Sequence, residues 1–354
     1  GYIPAALLAK EITGSATLAG LAAAMLSVGS SAASFPLASY MYRHGRRPGL
    51  RYGYLVGGAG AVAAFTAALL SVYPLLLLGI AMIGTGNACN LAARYAAADL
   101  ADERRRSRSI GIIVWASTIG SATGSYVALA LATGVADRIG LPELSGPYAL
   151  SFVVFLIAST IAHIRLRPDP LVVSGGLNPG PRTESKIDEL RRAAALIAAN
   201  PRARIAVAAM VTSQVVMVAV MTMTPLHMDS GGQSAATIGL MMTLHILGMY
   251  AFSPVIGLLS DRLGRLPMIG VGGGLLIAGA EFAARTEAVH APGVMTGNFL
   301  IGLGWGFGVI AGSSLLTESF AVEQRVSVQG AADLTLDQSW PGEEDARLLQ
   351  YLYI

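Results

Sequence analysis

The sequence predicts an all-α polytopic membrane protein with about nine full transmembrane helices. Hydrophobic residues make up 54% of the 354 residues and charged residues only 13%, whereas a soluble domain carries roughly 25% charged residues. Mean hydropathy is +0.59, and this composition excludes a soluble protein. Seven windows without Asp, Glu, Lys or Arg are each long enough to cross a bilayer: 12–42, 52–93, 109–136, 144–164, 205–228, 230–260 and 288–317.

Two further observations bring these windows to nine spans. The window 52–93 has twice the length of one span and turns at residues 71–74, so it predicts two helices. A ninth span runs from about Leu266 to Ala284, with Glu281 as its only charge. Open β-structure is excluded because unpaired backbone groups cannot face lipid. The only cysteine, Cys89, lies inside a predicted span, which excludes a disulfide within the chain.

The distribution of Lys and Arg predicts the orientation of every helix. If strict alternation begins with the loop 43–51 in the cytoplasm, the loops on that side hold nineteen basic residues and the opposite side holds three. The positive-inside rule then predicts these cytoplasmic loops: 43–51, 101–108, 165–204, 261–265 and 318–327. The sequence pI near 9.1 reflects this topology, so no nucleic-acid partner is expected.

An internal repeat relates the two parts of the chain at an offset of 219 residues. Residues 38–48 read ASYMYRHGRRP and residues 257–267 read GLLSDRLGRLP, each at the predicted cytoplasmic end of a span. Internal duplication is typical of transporters whose halves rock around a central site. The matched pairs are Arg43 and Arg262, Gly45 and Gly264, Arg46 and Arg265, Pro48 and Pro267, Asp99 and Glu318, Arg106 and Arg325, and Gly111 and Gly330.

These residues resemble the loop motif of the major facilitator superfamily. The motif is Gly, three residues, Asp, Arg or Lys, one residue, Gly, Arg, and it is matched in full by Gly257, Asp261, Arg262, Gly264 and Arg265. The first copy is degenerate, because Tyr42 stands in place of the Asp and Ala38 in place of the first Gly. The resemblance, over about residues 1–334, implies a helical bundle of two pseudo-symmetric halves.

The resemblance also implies a division of the chain. Aligned to the family's twelve helices, the chain is expected to contain helices two to ten and to lack helices one, eleven and twelve. The region 328–354 carries six charges and is predicted to stay in water, since each charge at mid-bilayer costs about 2.5–3.5 kcal/mol. A gene fragment or frameshifted product is therefore expected. The predicted segments are 1–8 (remnant of helix one), 9–166 (first half), 167–203 (linker), 204–327 (second half) and 328–354 (polar tail).

The linker is predicted to contain a short amphipathic helix on the cytoplasmic surface. Ile187, Leu190, Ala194 and Ile197 recur at helical spacing and form an apolar stripe, and Pro201 ends the helix. The linker could act as an inert tether or as a regulatory element, and the sequence leaves both roles open.

The complete loop motif predicts a gate. Asp261 is expected to face the N-terminal end of the helix that starts at residues 109–111, where it meets the positive end of the helix dipole. The arginines are expected to pair with nearby carboxylates in contacts that break when the halves rock; the alternative is that the charges only enforce topology. The gating residues are Gly257, Asp261, Arg262, Gly264, Arg265, Arg43, Gly45, Arg46, Asp99 and Glu318.

Polar and polarisable groups within spans predict the substrate pathway. Arg94 is expected to hold an anionic group or a proton-coupled carboxylate, with snorkelling to the interface as the alternative. His245 is expected to couple protons or to be a structural histidine. The Met-rich face suits varied apolar ligands, although such stripes also serve packing. The candidate substrate residues are Asn87, Asn90, Arg94, Gln214, Met217, Met221, His245, Asn298 and Trp305.

The resemblance implies a secondary transporter of a small organic solute, working by alternating access in the bacterial inner membrane. Proton-coupled efflux of drugs or metabolites is the first expectation and metabolite uptake the second. A truncated, non-transporting membrane protein or scaffold is the alternative from another class. No enzyme, cofactor or metal site is predicted, and the expected partners are the substrate, lipid and protons, with the chain acting as a monomer. Substrate, direction and coupling ion are not predicted.

Overall fold

The computed structural model describes residues 2–177 and 185–338, and no β-strand occurs within these ranges. Short 3-10 turns and one π-helical segment, Val127–Ala132, join some of the helices. The α-helices of this part of the chain are Tyr2–Thr13 (α1), Ala16–His44 (α2), Arg46–Leu70 (α3), Tyr73–Leu100 (α4), Arg106–Tyr126 (α5), Thr133–Arg138 (α6), Gly146–Arg165 (α7), Pro170–Val173 (α8), Lys186–Ala199 (α9), Pro201–Ser230 (α10), Ala235–Tyr250 (α11), Ser253–Leu263 (α12), Arg265–Arg285 (α13), Ala291–Glu318 (α14) and Val322–Gln338 (α15).

Within the described residues, eight helical stretches are long and apolar enough to cross a membrane. They agree with eight of the predicted spans, including the division of the window 52–93, where α3 ends at Leu70 and α4 begins at Tyr73. The ninth window, 109–136, is formed by α5, the π-helical segment and α6 in succession. The structure therefore confirms a polytopic helical membrane protein.

The first of two compact units comprises residues 2–100, 123–177, 185–196 and 321–338. Helices α2, α3 and α4 pack against one another, α7 packs on α3, and α15 packs on α2. Small residues permit this close packing: Ala61 and Ala64 of α3 share a core with Leu76 and Ile80 of α4.

The second compact unit comprises residues 101–122 and 197–320. Its centre is α14, which α10, α11 and α13 surround. Because α14 is packed on several sides, most of its side chains are buried, and Ile301, Trp305 and Val309 share a core with Met217 of α10 and Leu276 of α13.

The prediction of a polar tail from residue 328 was wrong for residues 328–338. These residues belong to α15, which the 219-residue offset places where the family's eleventh helix is expected. Gln329 and Asp333 are buried in it, at 1% and 4% exposure. The charge rule failed because this helix packs against protein, where Asp333 finds an arginine, and not against lipid. Residues 339–354 of the predicted tail lie outside the described residues.

The linker helix forms at α9, but its buried face differs from the predicted apolar stripe. Ile187 is 63% exposed and Ala194 is also exposed, whereas Glu189 and Ala193 are buried. Leu190 and Ile197 of the predicted stripe are half-buried, so the prediction is wrong for Ile187 and Ala194 and missed the carboxylate of Glu189, which bonds inside the protein.

Candidate functional site

The two repeat motifs form the same break between helices. Gly45 separates α2 from α3 with φ +100°, and Gly264 separates α12 from α13 with φ +98°. A side chain is strained at such angles, which explains glycine at both positions. Each glycine is followed by an arginine, Arg46 or Arg265, as the first residue of the next helix. The sequence repeat is therefore also a repeat of backbone geometry.

Arg46 is buried in a polar cluster of the first unit, at 1% exposure. Its Nε donates to Asp99 Oδ2 at 2.8 Å and its Nη2 donates to Gln329 Oε1 at 2.6 Å. The backbone N–H groups of Arg46 and Arg47 donate to the two carboxylate oxygens of Asp169, at 3.1 and 2.7 Å. One arginine thus joins α3, α4 and α15, and Asp169 caps the start of α3.

Arg265 repeats this arrangement in the second unit. Its Nε donates to Glu318 Oε1 at 3.0 Å, and its Nη2 lies 3.1 Å from Asp261 Oδ1 and donates to the backbone oxygen of Glu103 at 2.6 Å. Arg106 Nη1 lies 3.6 Å from Glu318 Oε1. Glu318 thus holds two arginines, one from α13 and one from α5, as Asp99 holds Arg46.

Asp261 lies at the N-terminal end of α5. Its two carboxylate oxygens accept the backbone N–H groups of Ser107 and Arg108, at 3.0 and 2.9 Å. These donors belong to the first turn of α5, two residues before the expected position. A carboxylate there satisfies free backbone donors and lies at the positive end of the helix dipole.

Gly257 lies one helical turn before Asp261 on α12. A Cβ built on Gly257 would lie 2.5 Å from the backbone oxygen of Ser107, so only glycine permits this approach of α12 to α5. Arg262 is exposed and Arg43 is half-buried, and among the described contacts neither belongs to the two arginine clusters.

Arg94 forms a buried ion pair with Asp333, a residue that the sequence analysis assigned to the polar tail. Its Nη2 donates to Asp333 Oδ1 of α15, and the two side chains are only 3% and 6% exposed. The Tyr95 hydroxyl also donates to Asp333 Oδ1, at 3.5 Å. Because Arg94 is buried, the snorkelling alternative is wrong. The spacing of Gln329 and Asp333 at i, i+4 could have revealed this face, had residues 328–338 been taken as a helix.

Asn87 and Asn90 lie on the same helix as Arg94, but both are exposed. Asn87 Nδ2 donates to Ser30 Oγ at 3.0 Å, and Asn90 Oδ1 accepts the hydroxyl of Tyr54 at 3.0 Å. The predicted stripe therefore divides into two exposed amides and one buried charge.

Gln214 and Trp305 form a polar and aromatic cluster in the second unit. Trp305 Nε1 donates to Gln214 Oε1 at 2.8 Å, and the Tyr250 ring meets the Trp305 ring edge to face, with 5.6 Å between centroids. Met217 is buried in the core beside them and Met221 is half-buried. Part of the Met-rich face therefore serves packing, and the Trp305 ring is itself only 7% exposed, whereas Gln214 and Tyr250 are half-buried.

His245 and Asn298 are both completely buried. His245 Nδ1 bonds with the backbone oxygen of Asn298 at 2.8 Å, and Asn298 Nδ2 donates to Thr224 Oγ1 at 3.2 Å. Among the described residues, no hydrogen-bond partner reaches His245 Nε2 or Asn298 Oδ1. Asn298 is therefore packed against His245 and Thr224. No group of metal-ligating side chains occurs among the residues searched, those the structure describes.

Known proteins similar to this chain indicate its family. The model of the family described as "Major Facilitator Superfamily" matches residues 1–339. An uncharacterized MFS-type transporter of Bacillus subtilis strain 168, YddS, is 37% identical over 341 residues, which cover 95% of this chain and 77% of that protein. The riboflavin transporter RfnT of Brucella anthropi is 25% identical over 335 residues, 93% of this chain and 79% of that protein.

Solved structures show the same fold at lower sequence identity. The Escherichia coli fucose:proton symporter FucP superposes with a TM-score of 0.69 at 15% identity, over 99% of this chain and 89% of that one. The proton:xylose symporter XylE gives a TM-score of 0.71 at 14% identity, over 99% and 84%.

Proposed function

Because the chain belongs to the Major Facilitator Superfamily of membrane transporters, we propose that it moves a small organic solute across the bacterial inner membrane by alternating access. The repeated arginine clusters carry this proposal. Arg46 of the first half binds Gln329 of the second half, and Glu318 of the second half pairs with Arg106 of the first half, so each cluster ties helices from both halves of the sequence together. Such contacts hold one side closed and must break when that side opens.

The solute we propose has a planar, partly polar ring system. Trp305 and Tyr250 offer aromatic surfaces, and the Gln214 amide offers one hydrogen-bonding group beside them. One relative is named as a riboflavin transporter, and riboflavin has a ring system of this class. An identity of 25% does not assign that substrate to this chain.

We propose that protons drive transport through the Arg94–Asp333 pair. Protonation of Asp333 removes the negative charge that holds Arg94, and it therefore weakens the tie between α4 and α15. The direction we propose is efflux in exchange for protons. Gly111, Gly120 and Gly124 on α5 keep the spacing of the family's antiporter motif, but Ser125 replaces its proline and its final glycines are absent, so the resemblance that favours this direction is partial.

The test uses the purified chain in proteoliposomes that contain a pH-sensitive dye. Riboflavin and a cationic aromatic dye serve as first probes, and we expect solute movement with opposite proton movement. Asp333→Asn is expected to abolish the proton signal, while Asp337→Asn, four residues further along α15, serves as the control. Solute movement without any proton movement would contradict the coupling, and movement of neither class of probe would contradict the proposed solute.

The alternative of a non-transporting protein relied in part on a missing eleventh helix. We take α15 as that helix, because its position follows the repeat offset and its Gln329 and Asp333 bond in the buried clusters of Arg46 and Arg94.

A further inference from the structure

Glu189 is a buried carboxylate on the linker helix α9, most of whose other residues are exposed or half-buried. It is 6% exposed, whereas its neighbour Asp188 and that residue's partner Arg191 have side chains 58% and 78% exposed. Glu189 Oε2 accepts the hydroxyl of Ser39 on α2 at 2.8 Å, and Oε1 accepts the hydroxyl of Ser327 on α15 at 3.1 Å. One carboxylate from α9 thus bridges two other helices.

The bridge lies where α2 and α15 approach each other closely. A Cβ built on Gly330 would lie 2.3 Å from the Ala38 Cβ, so these two helices touch directly. Ala38 precedes Ser39, and Gly330 lies one turn after Ser327. Separation of α15 from α2 would therefore remove one of the two hydroxyl groups from Glu189.

The second repeat shows what normally occupies the equivalent position. There, Asp261 of α12 accepts the backbone N–H groups of Ser107 and Arg108 in the first turn of α5. At the 219-residue offset, Asp261 corresponds to Tyr42 and Arg108 corresponds to Ser327. The first copy of the motif therefore lacks its carboxylate, and the group it would have held lies in the first turns of α15.

We propose that Glu189 is a positioning residue that replaces the carboxylate missing at Tyr42. Whereas Tyr42 lies on α2, Glu189 lies on the linker helix α9. Its carboxylate binds α2 and α15 at the same time. The linker helix therefore acts as a latch on the predicted cytoplasmic side, closed when Glu189 binds Ser39 and Ser327 and released when α15 leaves α2. The latch deepens the proposed alternating access and rests on it.

Thiol labelling tests the latch without any transported solute. A Cys89→Ala background carries Val328→Cys on α15, a position with 0% exposure, and the full chain is labelled in inside-out vesicles with a membrane-impermeant maleimide. We expect Glu189→Ala to raise the labelling rate roughly tenfold, the change that loss of one hydrogen bond to a charged group produces. Asp188→Ala, at the exposed neighbour, is expected to leave the rate unchanged.

Two further variants separate the latch from simple loss of folding. Ala203→Cys, also with 0% exposure and located at the predicted cytoplasmic end of α10, should stay protected in every variant. If Glu189→Ala exposes Ala203→Cys as well, Glu189→Gln takes its place, because the amide keeps one acceptor oxygen and removes the charge.

The decisive variant combines Glu189→Ala with Tyr42→Asp. We expect it to restore slow labelling, because Tyr42→Asp returns a carboxylate to the position that Asp261 holds in the second repeat. Unchanged labelling in both Glu189 variants overturns the latch, and fast labelling that Tyr42→Asp does not slow overturns the replacement. If labelling follows the expected pattern but the chain moves no solute, the latch is supported and only the transport proposal is refuted.

Discussion

Arg46 and Arg265 stand 219 residues apart and occupy equivalent positions in the two repeats. Each is the first residue of a helix after a glycine with a φ near +100°, and each donates its Nε to a carboxylate, at 2.8 Å to Asp99 and 3.0 Å to Glu318. The similarity extends from backbone angle to ion pair, which is more than the short shared motif requires.

Removal of one member of the Arg46–Asp99 pair is expected to destabilise the protein strongly. Asp99→Ala leaves a guanidinium without its carboxylate at a site where both side chains are 1% exposed, and such a loss costs about 3–5 kcal/mol. Unfolding by denaturant in detergent micelles measures the change. Asp102→Ala, at an exposed residue, should change the free energy of unfolding by less than about 0.5 kcal/mol.

The double variant Arg46→Met with Asp99→Leu is expected to recover much of that loss, because it removes the stranded charge together with its partner. A double variant as unstable as Asp99→Ala would contradict this explanation.

Asp261→Asn is expected to slow transport without changing membrane insertion. The amide keeps one acceptor for the backbone N–H groups of Ser107 and Arg108, but it loses the charge that holds Arg265 and favours the start of α5. Loss of a helix cap costs about 0.5–2 kcal/mol, enough for a change in rate of roughly tenfold. Uptake by proteoliposomes measures the rate, and Arg262→Gln, at the exposed neighbour, is the control. Equal rates for the wild type and Asp261→Asn would leave the charge with a topological role only.

Gly257→Ala is expected to disturb the approach of α12 to α5. The added Cβ would lie 2.5 Å from the Ser107 backbone oxygen, and overpacking of this kind costs about 1–3 kcal/mol. Gly270→Ala is the matched control, because it lies in α13 with no atom within 4 Å of an added Cβ. Thermal unfolding followed by circular dichroism compares the two variants. If they unfold at the same temperature, the close approach does not constrain position 257.

The membrane-spanning helices were predictable because a bilayer imposes a simple rule on composition. Charge-free windows of about 20 residues correspond to eight helices, and the repeat offset located both glycine breaks. The same rule failed at α15, because Asp333 and Gln329 bond with arginines there. These arginines lie 239 and 283 residues away in the sequence. Local sequence contains no signal for such distant partners.

The prediction for the linker helix failed for a related reason. Periodicity predicted an apolar face that included Ile187 and Ala194, but both are exposed, whereas Glu189 is buried and accepts two serine hydroxyls from other helices. A buried polar contact depends on groups that only the tertiary structure brings together. The roles predicted for the substrate residues stay predictions, since the structure gives their surroundings and not their ligand.

Trp305→Phe is expected to weaken solute binding while leaving the fold intact. Phenylalanine keeps a ring beside Tyr250 but removes the indole N–H, so Gln214 Oε1 loses its donor at 2.8 Å and the amide is free to turn. We expect the KM for a planar solute to rise roughly tenfold, with little change in the maximal rate, because the lost contact acts in binding. Trp115→Phe, at a residue 42% exposed, is the matched control and should leave KM unchanged. An equal KM for Trp305→Phe and the wild type would remove Trp305 from the substrate site, whereas a fall in thermal stability alone would assign its hydrogen bond to packing.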